Sequence, residues 1–124
     1  MFAIFFIYQN LAFSKTNENK DFNPRYLSNY LSAIISQNQD DSLKYFSLSK
    51  TLIDKHDNYL KKYVFSLVVN SKVQESINTI KINRNRSNSD FFEAKLLLLI
   101  DNFKKGKFDQ NIRLLYELEA YKEN

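Results

Sequence analysis

The chain has 124 residues, enough for one small domain or a few helical repeats. Its 18 Lys and Arg against 14 Asp and Glu give a net charge of +4, and one Gly, one Pro and no Cys exclude collagen-like, linker-like and disulfide-stapled classes. A hydrophobic content of 44% supplies a core, which excludes wholesale disorder. The shortage of Gly and Pro also argues against an all-β sandwich or barrel, whose frequent turns consume those residues. Asn is abundant alongside Lys and Ile, a mixture that reads as compositional bias rather than turn chemistry.

Residues 1–14, MFAIFFIYQNLAFS, are apolar and carry no charged side chain. They are too few to span a bilayer, which takes about 20 apolar residues. Small residues near Ser14 suit a signal peptidase, whereas no Lys or Arg precedes the apolar run. Two readings stand: an export signal cleaved after Ser14, or an apolar tail packing on the domain. Residues 15–23 form a polar linker.

From residue 24 the apolar spacing is helical. Asn23 suits an N-cap and Pro24 the first helical position, and Leu27, Tyr30, Leu31, Ile34 and Ile35 fall on one stripe. After the polar break Gln37–Asp40, a second helix is expected from about Asp41 to Asp54, with Tyr45, Leu48 and Leu52 on its stripe. His56, Asp57 and Asn58 break the pattern again. Leu60, Tyr63, Val64, Leu67 and Val68 then repeat the spacing of the first helix, and Val73, Ile77 and Ile80 mark a fourth after the turn Asn70–Lys72. Asn83 to Ser89 holds no apolar residue and reads as a loop. The fifth helix, capped by Asn88 or Ser89, carries Phe92, Leu96, Leu99, Ile100 and Phe103. Gly106 ends it by adopting a left-handed turn, and Phe108, Ile112, Leu115 and Leu118 mark the sixth. Links this short make consecutive helices antiparallel neighbours, so the chain reads as three helical hairpins, each too small to bury its apolar face alone.

Leu43, Ile77 and Ile112 hold equivalent places at spacings of 34 and 35 residues, each preceded by a small or short polar residue: Ser42, Ser76 and Asn111. Phe46, Ile80 and Leu115 hold a larger position further along the same helices. Gly106, Phe108, Asn111 and Ile112 stand at the spacing of the turn glycine, aromatic, alanine and isoleucine of the tetratricopeptide repeat, and Ser71, Val73, Ser76 and Ile77 repeat the pattern. Over residues 24–124 the chain resembles that family, with repeats at about 24–57, 58–88 and 89–124. The resemblance implies an all-α fold: three stacked antiparallel hairpins in a right-handed superhelix, an α-solenoid whose first helices line a concave face. It also implies a non-catalytic scaffold that takes a peptide or partner helix on that face. By register with the family, Asn58, Lys61 and Phe65 of the third helix and Glu93, Phe103 and Lys104 of the fifth face the groove. Phe65 lies off the core stripe, so it serves either the groove or packing between repeats.

Chemistry in the chain is sparse. One histidine and no cysteine leave no zinc site or Cys–His dyad, and no phosphate loop or hydrolase motif occurs. No catalysis, cofactor or metal is expected. His56 reads as a solvated turn residue, and Asp40 and Asp41 as favourable charge at a helix start. Tyr30, Tyr63 and Phe92 read as packing aromatics. Lys81, Arg84 and Arg86 form the densest basic patch, so nucleic-acid binding stands as an alternative function and a purely structural envelope domain as another. The signal-like start before the repeats suits an exported bacterial protein, periplasmic or envelope-associated, and a cytoplasmic one if that start is no signal. The apolar sixth helix, with no seventh to cover it, reads in two ways: a fragment of a longer repeat array, or self-association through that end.

Overall fold

The structure, a computed structural model, describes residues 23–122, so residues 1–14 and most of the linker lie outside it. It is all-α: α1 (Pro24–Ile35), α2 (Gln39–Leu48), α3 (Tyr59–Val69), α4 (Val73–Asn83), α5 (Phe92–Lys104) and α6 (Phe108–Glu119), with no strand among the described residues. Short 3-10 turns cover Lys50–Asp54, Ser87–Ser89 and Ala120–Lys122. The pairs α1–α2, α3–α4 and α5–α6 pack as hairpins, and α2 meets α3 as α4 meets α5.

Local chemistry explains several boundaries. The Asn23 side chain accepts from the Arg25 amide at 2.9 Å, and Pro24 opens α1. Asn38 caps α2 by accepting from the Asp41 amide at 3.1 Å, with Asp40 and Asp41 in the first turn. Ser71 (φ 60°) and Gly106 (φ 68°) occupy matching places, 35 residues apart, and both turn left-handed between the helices of a hairpin.

The second helix departs from expectation. It stops at Leu48 and tightens into the 3-10 turn at Lys50. The cause is Ser49, fully buried, whose hydroxyl donates to the carbonyls of Tyr45 (2.9 Å) and Phe46 (3.1 Å) and draws the backbone out of α-helical register. The buried stripe is accordingly Leu43, Phe46 and Leu52, while Leu48 is half exposed. Neither Asn88 nor Ser89 caps α5. Phe91 stands at that position with its side chain buried, and Asn88 Nδ2 instead donates to the Ile53 carbonyl at 2.8 Å, tying the two inter-hairpin loops together.

Two apolar clusters share α3 between them. Tyr59, Tyr63 and Leu67 pack toward the first hairpin, against Tyr30, Ala33, Leu43, Phe46 and Leu52. Leu60 and Val64 pack the other way, against Ile80 of α4 and Phe91 and Ala94 at the start of α5. The first cluster is aromatic. Phe46 meets Tyr59 edge-on at 5.8 Å between centroids, and the Tyr59 hydroxyl donates to the Phe46 carbonyl. Complete burial pushes the Tyr59 phenol above its ordinary pKa. His56 is no solvated turn residue: its ring lies 4.6 Å from that of Tyr30 and its Nδ1 is buried.

The largest correction concerns the stripes of α1 and α5. Of Leu27, Tyr30, Leu31, Ile34 and Ile35 only Tyr30 is buried, joined by Ala33. Of Phe92, Leu96, Leu99, Ile100 and Phe103 only Leu99 is buried, joined by Ala94, Asp101 and Asn102. Each helix carries a second apolar face, and periodicity alone cannot say which of the two turns inward.

Candidate protein-interaction groove

The exposed apolar faces of the first helices fall in line. Leu31 and Ile34 on α1, Phe65 and Val68 on α3, and Ile100 and Phe103 on α5 hold corresponding places 34 and 35 residues apart, with Leu96 one turn before Ile100. Ile34, Phe65, Val68 and Leu96 border two hollows along this side. One, of about 340 Å³, lies between the first hairpin and α3 and is lined by Ile34, Lys62, Phe65 and Val69 among others. The other, of about 390 Å³, lies between α3 and α5 and is lined by Lys61, Lys62, Phe65, Val68, Glu93, Leu96 and Leu97. Phe65 borders both and is 67% exposed, so its ring is not buried between hairpins. Its position on α3 follows from the two buried faces of that helix. Tyr59 and Tyr63 face one way and Leu60 and Val64 the other, so the remaining side, through Lys61 and Phe65, meets solvent.

Of the groove residues expected from the sequence, Lys61, Phe65 and Glu93 come together. Lys61 Nζ bridges α3 and α5 by pairing with Glu93 Oε1 at 3.1 Å. Burial raises the Glu93 pKa, but its own backbone amide and Lys61 outweigh that, and the carboxyl sits below its ordinary value. Asn58 lines the adjoining hollow with Lys61, Asp57 and Asp90. Phe103, in the place of Ile34 and Val68, and Lys104 lie at the far end of α5 and line neither hollow. The Phe103 ring rests against Phe108 at 6.1 Å, and Lys104 is exposed. Leu31, Ile34, Val68, Leu96 and Ile100 complete the strip, and sequence reasoning assigns them to the core because their spacing is that of a buried stripe. The signal that finds them is the small residue of each second helix. Tyr30, Val64 and Leu99 all lie 12 residues before Ser42, Ser76 and Asn111, and all three are buried; the apolar residue that follows each, Leu31, Phe65 and Ile100, turns outward.

The rest of the surface offers less. Lys81 and Lys105 (2.9 Å) both pair with Asp101, and Arg86 pairs with Asp54, so two of the three cations in the basic patch are neutralised within the chain. Lys105 and then Lys81 hold the Asp101 carboxyl below its ordinary pKa, although its side chain is almost wholly buried. Among the described residues no group of carboxylates and imidazole gathers as a metal site, and no helix is long and apolar enough to cross a membrane. Compared with known protein families, characterised proteins and solved structures, the chain matches none.

Proposed function

We propose that this protein is a non-catalytic interaction scaffold, a tetratricopeptide-like stack of three hairpins that takes a partner helix along the first-helix face. The observation that carries the reading is the apolar strip across α1, α3 and α5 with Phe65 at its centre. The recurring buried residues before Ser42, Ser76 and Asn111, and the matched left-handed turns at Ser71 and Gly106, support the repeat assignment. A helix suits the strip better than an extended peptide. An extended segment would press unpaired backbone amides and carbonyls against apolar side chains, at a cost of about 1–3 kcal/mol for each group left unsatisfied. A helix pairs its own backbone and presents an apolar stripe. Lys62 borders both hollows and makes no ion pair among the described residues, so an acidic residue beside that stripe finds a partner there.

Crosslinking pull-down with the full chain tests this. Wild type and Ile82→Glu, altered at an exposed site on α4 away from the strip, should recover the same protein, and folded Phe65→Glu should lose it. Equal recovery by all three would overturn the groove assignment. Export is part of the same reading. Protein purified from its source organism should begin at Lys15, and an intact Met1 would refute export with cleavage.

A further inference from the structure

The third hairpin carries a second apolar surface, which shares only Leu96 with the lining of the groove hollows. Phe92, Leu96 and Leu99 of α5 and Ile112, Leu115 and Tyr116 of α6 line a hollow of about 550 Å³, rimmed by Glu119 and Lys122. Inside the chain this kind of face is covered twice. Leu43 and Phe46 of α2 are buried in one cluster with Tyr59 and Tyr63 of α3, and Ile80 of α4 is buried with Phe91 and Ala94 of α5. Ile112 and Leu115 hold the corresponding places on α6 and stand about half exposed.

We propose that a second copy of this chain covers the face, the same α5–α6 surface meeting itself about a twofold axis. Head-to-tail stacking onto α1 is disfavoured by the residues α1 offers. The places on α1 that correspond to Tyr59 and Tyr63, 34 residues earlier, are Arg25 and Asn29, both polar. A twofold contact needs one self-complementary patch, and this one carries both signs of charge on its rim, so Glu119 of each copy meets Lys122 of the other. The exposed parts of Phe92, Leu96, Ile112, Leu115 and Tyr116 come to roughly 450 Å² per copy, at ~175 Å² for a large side chain. The pair would bury about 900 Å² of apolar side chain before its polar rim is counted, near the roughly 1,200 Å² at which specific interfaces begin, so the association is concentration-dependent.

Sedimentation equilibrium of the full chain across a concentration series tests the proposal. Wild type should pass from monomer to dimer and stop there. Folded Tyr116→Glu should stay monomeric. Glu119→Lys and Lys122→Glu should each weaken the dimer at least tenfold, and the double swap should restore it. Phe65→Glu should dimerise as wild type does, so a failed groove and a failed dimer give different results. A wild-type monomer at every concentration, growth beyond the dimer, an undisturbed Tyr116→Glu dimer, or a double swap that restores nothing would overturn the twofold contact.

Discussion

The second and third hairpins place the same kinds of side chain in the same register and treat them differently. Ile77 and Ile80 of α4 are 4% and 2% exposed, whereas Ile112 and Leu115 of α6 are 57% and 48% exposed. Their helices are alike in length and apolar spacing. What differs is the neighbour: α5 lies over α4, and no described element lies over the outer face of α6. Burial, and with it most of the stabilisation, is therefore a property of the junction between hairpins rather than of either hairpin.

That contrast is open to a direct attack. Ile80→Ala should cost about 3–4 kcal/mol in urea unfolding, as a buried large-to-small change does. Leu115→Ala, measured below the concentration of any self-association, should stay within about 0.5 kcal/mol of wild type. Equal costs would erase the distinction between the two hairpins.

The buried acid at the junction of α4 and α5 sharpens it. Asp101→Ala should destabilise by about 2 kcal/mol through the loss of its charged hydrogen bonds to Lys81 and Lys105. Because Asp101 and Asp90 both titrate below their ordinary range, folded stability should hold above about pH 5 and fall as pH drops through 4, where the unfolded carboxylates take up protons first. Thermal melts from pH 7 to pH 3 would show that slope, and its loss in Asp101→Ala would assign part of it to this site.

The small-residue position separates the hairpins by sign. Ser76 donates to the Val73 carbonyl at 2.7 Å, but Asn111 is buried with neither side-chain atom paired. Asn111→Ala should therefore stabilise by about 1 kcal/mol, while Ser76→Ala should cost a few tenths to about 1 kcal/mol. Destabilisation by Asn111→Ala would show that its amide finds a partner in solution.

The smallest effects concern the turns, and they too should run in opposite directions. Ser71 bears a left-handed backbone that glycine adopts freely, so Ser71→Gly should gain up to about 1 kcal/mol. Gly106→Ala should lose a similar amount for backbone reasons alone, since a β-carbon there would meet no atom within 4 Å. Equal signs would mean that the two turns are not equivalent.

Much of this was legible beforehand in residue types and spacing. Asn23–Pro24 starts α1, Gly106 turns the chain, and the number and order of the helices follow from apolar period and polar breaks. Phe65 was recognisable as off the core stripe of α3. The early end of α2 was not, because a buried Ser49 bonding back to its own turn looks in sequence like any helical serine. The strip through Leu31, Ile34, Leu96 and Ile100 was hidden for a different reason. A helix with apolar residues on two faces has one periodicity, and its partner selects the face that is buried.

By itself, then, the sequence determined the helical character of the described chain, the start of α1 at Asn23–Pro24 and the turn at Gly106, since these rest on backbone chemistry within a few residues, and it displayed a three-dozen-residue recurrence of residue types. Tertiary structure alone decided that Tyr30 and Ala33 turn inward while Leu31 and Ile34 turn out, that His56 joins an aromatic cluster, and that α3 is buried on both sides. Hydrophobic burial has no direction of its own, so the same leucine is core or surface according to what the fold brings against it.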